Sequence, residues 1–208
     1  MSGNVSLYNE TEDGAVYPTP VVGMVGVLED VNRHATPAFK REGDRVVLII
    51  DFSVSLAGSE YLEIEHGRVA GEPRSPDLAR EKEHAGVVRR LIADGLVDTA
   101  HDVSGGGLAV ALAEMAVAGG IGVEFDETEI EPKLGGGRKD IGLFGETGAH
   151  LLIAVPEDRW EVLQSSLGVA GVPYDDIART GGDRFKIGDF VDIKLEDLKE
   201  AYERDLFS

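Results

Sequence analysis

The sequence predicts an α+β domain with a mixed sheet, and three observations support this fold class. Apolar runs of strand length occur at 45–52 and 150–156. Amphipathic runs of helix length occur at 75–95 and 195–206. The two kinds of element are interspersed without strict strand–helix alternation, which favours a layered α+β domain over a doubly wound parallel sheet. A chain of 208 residues is long enough to bury a core without disulfide or metal staples.

The first apolar stretch is YPTPVVGMVGVL, residues 17–28. Pro18 and Pro20 predict an extended path on either side of Thr19. Gly23 and Gly26 are typical of a strand whose backbone packs closely against another element.

Three elements are predicted next. RVVLIIDF, from Arg45, is a continuous apolar run and predicts a strand buried on both faces. YLEIEHGRVAGE, from Tyr61, alternates and predicts a strand that turns at Gly67. The run 75–95 predicts a helix capped by Ser75, with Pro76 in its first turn and Gly95 at its end. Its predicted apolar stripe consists of Leu78, Ala85, Val88, Leu91 and Ile92.

The second half begins with LVDTAHDVSGGGLAVALAEMAVAGG, residues 96–120, which predicts a strand, a glycine turn and a helix. The helix stripe is Leu108, Ala111, Leu112 and Met115. Strands are predicted at 121–126 and 150–156, a flexible loop at 135–140, a short helix at 158–167 and a strand or hairpin at 184–195. The final helix, 195–206, is predicted to turn inward Leu198, Ala201, Tyr202 and Leu206.

Composition and charge exclude several classes of function. The chain has no cysteine, which excludes disulfides, thiolate metal sites and a cysteine nucleophile, and fits a reducing cytoplasmic setting. No apolar run approaches the roughly 20 residues that span a bilayer. The formal net charge of −19 disfavours nucleic acid and anionic membranes as partners. This acidic surface is either a solubilising feature, as in adaptation to salt or heat, or a docking face for a basic partner.

The strongest candidate for chemistry is HDVSGGGL, His101 to Leu108. Ser104 is predicted to cap the following helix, and the three glycines would expose N–H groups at its start. Such a turn attracts anions, phosphate above all. The alternative is that the glycines allow close packing of helix on sheet, while His101 and Asp102 satisfy each other.

Two other polar turns are weaker candidates. Glu146, in LFGETGAHLLIAV, would contact a ligand or a metal, or else form a partly buried salt bridge within its loop. Ser59 and Glu60 occupy the polar positions of the turn LAGSEYL. The remaining histidines, which have no metal-ligand spacing, are His34, His66, His84 and His150. The sequence contains no nucleophile triad, Walker loop or dinucleotide fingerprint.

Five motifs occur in one order along the chain: SGNVSLYNE, PTPVVGMVG, LAGSEYL, AHDVSGGGLAVALAEMA and LFGETGAHLLIAV. Together they resemble the phosphoribosylformylglycinamidine synthase family, over essentially the whole chain. The HDxSxGGL element is shared with the wider aminoimidazole ribonucleotide synthetase-like superfamily. GNVSLYNE followed by PTPVVGMVG is more specific to the formylglycinamidine enzyme.

The resemblance implies a domain organisation. Residues 1–31 would be the C-terminal remnant of a preceding α/β synthetase domain with its linker. Residues 32–208 would form a synthetase-related C-terminal domain, a three-layer α/β/α domain with a mixed sheet. Met1 would then begin a shortened chain or a split reading frame.

The resemblance also implies an activity. The family joins glutamine-derived ammonia to formylglycinamide ribonucleotide with ATP and Mg²⁺, in de novo purine biosynthesis. Its partners would be the N-terminal remainder of the synthetase, a glutaminase subunit and a small bridging subunit. The alternatives are a non-catalytic structural module stabilised by a nucleotide, and a part of another superfamily member such as aminoimidazole ribonucleotide synthetase.

The resemblance assigns roles to three residues near the start. Gly3 would approach ATP through its backbone, Asn4 would offer its side-chain oxygen to Mg²⁺, and Ser6 would hydrogen-bond the ribonucleotide substrate. The alternative is a turn satisfied by its own side chains. The catalytic histidine and most magnesium carboxylates would belong to the part of the family enzyme outside this chain, so His101 would not be that histidine. The family's HDxSDGG has Gly105 here in place of aspartate, which removes a potential cation ligand.

Overall fold

The computed structural model describes residues 10–12, 14–16, 21–50, 54–125, 138–146, 148 and 150–204. The strands are β1 Glu10–Thr11, β2 Gly14–Ala15, β3 Arg45–Ile49, β4 Thr99–Asp102, β5 Val123–Phe125, β6 Leu151–Val155, β7 Tyr174–Thr180, β8 Arg184–Ile187 and β9 Val191–Lys194. The α-helices are α1 Glu60–His66, α2 Leu78–Ala93, α3 Gly107–Gly119, α4 Lys139–Phe144, α5 Trp160–Ala170 and α6 Leu195–Arg204, with a short 3₁₀ turn at Glu157–Arg159.

Seven strands form one mixed sheet in the order β4-β6-β3-β7-β5-β8-β9. Strands β5 and β8 run parallel, and the other neighbours in this sheet run antiparallel. The predicted mixed sheet in an α+β fold is therefore confirmed.

Strand β3 is buried on both faces, as its continuous apolar run predicts. Val46 and Leu48 pack on the side of α3, α4 and α6, whereas Val47 and Ile49 pack on the side of α2 and α5. Alternate side chains of a strand point to opposite faces, so one strand contributes to both cores. Helices thus cover both faces of the sheet, which gives the three-layer α/β/α arrangement that the resemblance implies.

The predicted strand at 61–72 is wrong, because residues Glu60–His66 form helix α1. The Ser59 hydroxyl accepts a hydrogen bond from the backbone N–H of Leu62, and Gly67 ends the helix in the left-handed conformation at φ +58°. An N-cap serine and a C-cap glycine with seven residues between them favour a helix over the alternation of Leu62 and Ile64. Ile64 accordingly lies exposed to solvent.

Helix α2 is confirmed, but its predicted cap is wrong. Asp77, not Ser75, caps it, because the Asp77 carboxylate accepts the N–H groups of Ala79 and Arg80. Leu78 and Ala85 of the predicted stripe are exposed. The residues that α2 buries are His84, Val87, Val88 and Leu91.

Two elements of the sheet domain, β7 and α4, are not predicted from the sequence, and neither is the short hairpin β1–β2. Strand β7 lies beside β3, yet its sequence YDDIART has no apolar run. Asp176 on β7 pairs with Arg45 on β3 at 2.5 Å, so part of this strand is held by charge and gives no hydrophobic pattern. Helix α4 begins at Lys139, within the loop predicted at 135–140.

The predicted elements near the C-terminus are largely confirmed. The short helix is α5 after its 3₁₀ turn, and the predicted hairpin is β8–β9. In α6, Leu198 packs against the core, but Ala201 and Tyr202 are exposed. Leu206 lies outside the described residues.

Residues 21–31, here called the N-terminal apolar segment, form no strand, so the strand predicted around Gly23 and Gly26 is wrong. A side chain added at either glycine would contact nothing within 4 Å. Six large apolar residues between 21 and 28 lie exposed, and Val25 is fully so: Val21, Val22, Met24, Val25, Val27 and Leu28. Val27 and Leu28 border a cavity beside α2, and the first backbone bridge to the sheet follows at Thr36, which pairs with Thr99. No described helix is long and apolar enough to cross a membrane.

Candidate functional site

The residues with predicted ligand roles, Gly3, Asn4 and Ser6, lie outside the described residues. The polar turns predicted at 101–108, at 146 and at 59–60 are described, and the fold brings all of them together. The turns at 101–108 and at 146 line one cavity of about 460 Å³ beside the start of α3, and Ala57 and Gly58, just before Ser59, line it as well. Its polar lining includes Arg74, Glu81, His84, Asp102, Glu146 and His150.

The glycine turn is shaped by contacts as well as by conformation. Gly106 and Gly107 have φ of +79° and +73°, a region that side chains disfavour. A Cβ on Gly107 would lie 2.8 Å from the carbonyl oxygen of Leu143 and from backbone atoms of Phe144. Gly107 therefore allows α3 to approach helix α4 closely, whereas the packing interpretation expected a close approach to the sheet.

The predicted cap of α3 by Ser104 is wrong. Gly106 is the N-cap residue, and it offers no side chain. Burial of the Asp102 carboxyl acts to raise its pKa. Hydrogen bonds from the Ser104 hydroxyl, from the Asp102 backbone N–H and from His101 outweigh this effect, so the pKa of Asp102 lies below its ordinary value. The Ser104 side chain thus hydrogen-bonds the Asp102 carboxylate beside the cavity and does not cap α3.

His101 bonds to a second acid besides Asp102. Its Nδ1 lies 3.3 Å from Asp102, and its Nε2 lies 3.0 Å from the Glu114 carboxylate on α3. The predicted pairing of His101 with Asp102 is present, and Glu114 is an additional partner that lies thirteen residues further along the chain. This triad joins β4 to α3 at the edge of the sheet.

The Glu146 carboxylate binds the backbone of the glycine turn. Its Oε1 accepts the backbone N–H of Gly106 at 2.9 Å and the backbone N–H of Glu60 at 2.9 Å. Its own backbone N–H donates to the carbonyl of Ser55 at 2.8 Å. The predicted salt bridge is replaced by contacts with peptide groups, and Glu146 connects three segments of the chain.

Four lining residues are missing from the sequence prediction as site residues: Arg74, Glu81, His84 and His150. They come from separate stretches, and both histidines are buried. The spacing of Glu81 and His84 along α2 places them on one helix face, which is the only local signal of their proximity. In the part of the chain that is described, no group of three or more His, Asp or Glu side chains is arranged to hold a metal ion.

The fold and these turns define the class of protein. Residues 41–189 match the family described as AIR synthase related protein, C-terminal domain, and the chain belongs to this family. Over 86% of its length the chain is 50% identical to phosphoribosylformylglycinamidine synthase subunit PurL of Moorella thermoacetica. The resemblance indicated by the five motifs is thereby confirmed. The chain spans about a quarter of this relative, 24% of its length.

Solved structures show the same fold at low sequence identity. Thermotoga maritima PurL complexed with FGAR matches with a TM-score of 0.65 and 15% identity, over 81% of this chain and 30% of that one. The same protein complexed with ATP, and the PurLQS structure from T. maritima, each match with a TM-score of 0.63 over 81% of this chain and 28% of theirs. Their identities to this chain are 13% and 15% respectively.

Proposed function

We propose that this chain is a part of the ATP-dependent carbon–nitrogen ligase that converts formylglycinamide ribonucleotide, glutamine-derived ammonia and ATP to formylglycinamidine ribonucleotide in de novo purine biosynthesis. The observation that carries the proposal is the 50% identity with a PurL subunit over 181 residues. We expect the chain to be inactive alone, because it spans 24% of that relative.

The proposed division of the chain is 1–31 as the end of a preceding synthetase domain and 32–208 as the C-terminal domain. The exposure of residues 21–31 supports this boundary, since an apolar segment of this size is normally covered in a complete fold. The covering partner is the remainder of the synthetase.

ATP and Mg²⁺ are the proposed cofactors, and their site lies with the segment before the apolar one. Gly3 lets the ATP approach the backbone, Asn4 supplies a hard oxygen ligand for Mg²⁺, and Ser6 hydrogen-bonds the ribonucleotide. Bound Mg²⁺ neutralises charge on the transferred phosphoryl group. The T. maritima PurL structures solved with ATP and with FGAR support nucleotide and ribonucleotide as ligands of the assembled enzyme.

The proposed partners also include a glutaminase subunit and a small bridging subunit, and the PurLQS structure of a fold relative supports an assembly of several subunits. Nucleic acid and membranes are not partners, in keeping with the charge of −19. A chain without cysteine is consistent with a cytoplasmic location.

A chimera tests this function. In the M. thermoacetica subunit, the aligned segment is replaced by this chain, and amidine formation is measured with ATP, Mg²⁺, ammonia and formylglycinamide ribonucleotide. We expect turnover by the chimera and none by the 208-residue chain. A folded chimera without turnover, beside an active parent subunit, would refute the proposal. Asn4→Ala in an active chimera is expected to raise the Mg²⁺ concentration needed for half-maximal rate, whereas Asn9→Ala serves as the matched control.

A further inference from the structure

The Glu146 carboxylate lies where a bound anion would lie. Gly106 is the N-cap of α3, a helix of 13 residues, and Glu60 is the first residue of α1. Backbone N–H groups at helix starts have no partner within the helix and carry the positive end of the helix dipole. A single oxygen of Glu146 accepts from both starts at 2.9 Å. This is the type of contact that a phosphate oxygen makes at a glycine turn.

Backbone hydrogen bonds of Glu146 and of its neighbour Gly145 hold Glu146 in position. Its backbone N–H donates to Ser55, and the preceding Gly145 donates to Ile141 at the end of α4. A Cβ on Gly145 would lie 2.9 Å from the Cβ of Val54, so the backbone here is held against the segment that leads to α1. The carboxylate is therefore presented to the turn by a constrained loop, and little entropy is lost in holding it there.

The rest of the cavity is acidic. Asp102 has a lowered pKa and is ionised at neutral pH, and the Glu81 carboxylate lies against Gly148, which also lines the cavity. Arg74 is the one arginine or lysine among the described lining residues. Three carboxylates against one guanidinium disfavour a second anion beside Glu146.

We propose that Glu146 is a built-in anion that occupies the glycine turn and excludes phosphate groups from it. The HDVSGGG turn retains the backbone of a phosphate-binding loop, but its ligand is a side chain of the same protein. This inference goes beyond the proposed ligase function and does not depend on it, since it concerns the 208-residue chain alone.

Phosphate titration monitored by amide NMR tests the inference. In ¹⁵N-labelled wild-type chain, we expect inorganic phosphate at constant ionic strength to leave the Gly106 and Glu60 amide resonances in place. In Glu146→Ala we expect both resonances to shift saturably, with an apparent affinity at least about tenfold above any wild-type response. Glu146→Asp, one methylene shorter and unable to reach both donors, gives the same gain if the alanine variant does not fold.

Two control variants separate charge from position. Glu146→Gln keeps an acceptor oxygen of the same size, and we expect it to stay insensitive to phosphate. Glu81→Ala removes a cavity carboxylate that does not contact Gly106, and we expect no gain. The inference is overturned if wild type responds like Glu146→Ala, if folded Glu146→Ala and Glu146→Asp both ignore phosphate, or if Glu81→Ala gains binding as strongly as they do.

Discussion

The sheet domain and the N-terminal apolar segment differ in how far their apolar residues are buried. In the sheet domain, both faces of β3 are covered by helices, and even the glycine turn is closed by a side chain of the same chain. In residues 21–31, valines and a methionine lie in solvent without a covering element among the described residues. Within the described residues, the first region is covered by helices of its own chain, and the second is exposed. Under the proposed function, the remainder of the synthetase would cover the second region.

The largest expected effect comes from breaking the sheet domain. Leu112 on α3 is fully buried, so Leu112→Ala should lower the free energy of unfolding by about 2–5 kcal/mol through lost burial and a cavity. Leu78→Ala on α2 is the matched control, because Leu78 is 74% exposed and its removal should cost at most about 0.5 kcal/mol. Urea denaturation followed by circular dichroism measures both, and equal losses would contradict the assigned core.

A slightly smaller effect is expected at the glycine turn. Gly107→Ala places a Cβ against the backbone of α4 at a positive φ, which should cost about 2–4 kcal/mol. Gly120→Ala at the other end of α3 has a similar φ of +64° but open space around it, so only the conformational cost of about 1–2 kcal/mol applies. The difference between the two variants isolates the close approach of α3 to α4.

Within the sheet domain, an ion pair between the stretch before β3 and the start of β4 should have a smaller, pH-dependent effect on stability. Arg41 donates to both carboxylate oxygens of Asp98, at 2.8 and 2.9 Å. This ion pair connects the stretch just before β3 to the start of β4. This hydrogen bond is the main cause that lowers the pKa of Asp98 below its ordinary value. A lowered folded-state pKa gives stability that is present above the unfolded-state pKa, about 3.9, and is lost as the pH falls through the folded-state value.

The dependence of the free energy of unfolding on pH in the acid range therefore measures the Arg41–Asp98 ion pair. Asp98→Asn should unfold with a free energy that falls less steeply than wild type below about pH 4. At neutral pH it should lose less than about 1 kcal/mol, because the pair is partly exposed and screened. Asp44 opposes this trend, since burial raises its pKa. Asp158→Asn, at an exposed position, is the control, and an acid profile identical to that of Asp98→Asn would contradict the assignment.

The smallest effect on stability is expected in the N-terminal apolar segment. Val25→Ala should change the free energy of unfolding of the 208-residue chain by less than about 0.5 kcal/mol, because Val25 is fully exposed. The same substitution at Val47, buried in β3, should cost about 1.5–3 kcal/mol. A loss at Val25 comparable to that at Val47 would show that the segment packs on the domain.

The sequence predicts the parts of the fold that rest on hydrophobic pattern. β3, β6, α2 and α3 follow from apolar runs and periodicity, and the buried stripe of α3 is correct in every residue. α1 is missed because its two capping residues favour a helix despite an alternating pattern. β7 is missed because the half-buried Asp176 pairs with Arg45 of β3 and gives no apolar signal. Local pattern does not report contacts between distant charges.

The candidate site is predictable only in its turns. HDVSGGG and Glu146 are recognisable as polar turns, but the distance between Gly106 and Glu146, forty residues apart, depends on the sheet order. The same dependence hides Arg74 and His150, which reach the cavity from separate elements. The roles of Gly3, Asn4 and Ser6 stay predictions from the resemblance.

Hydrogen–deuterium exchange along the chain tests most directly whether the N-terminal apolar segment is completed by a partner. Exchange is compared between the 208-residue chain and the active chimera with the M. thermoacetica subunit. We predict that amides of 21–31 exchange at nearly unprotected rates in the chain alone and become strongly protected in the chimera, while β3 is protected in both. Equally fast exchange of 21–31 in an active chimera would contradict the account.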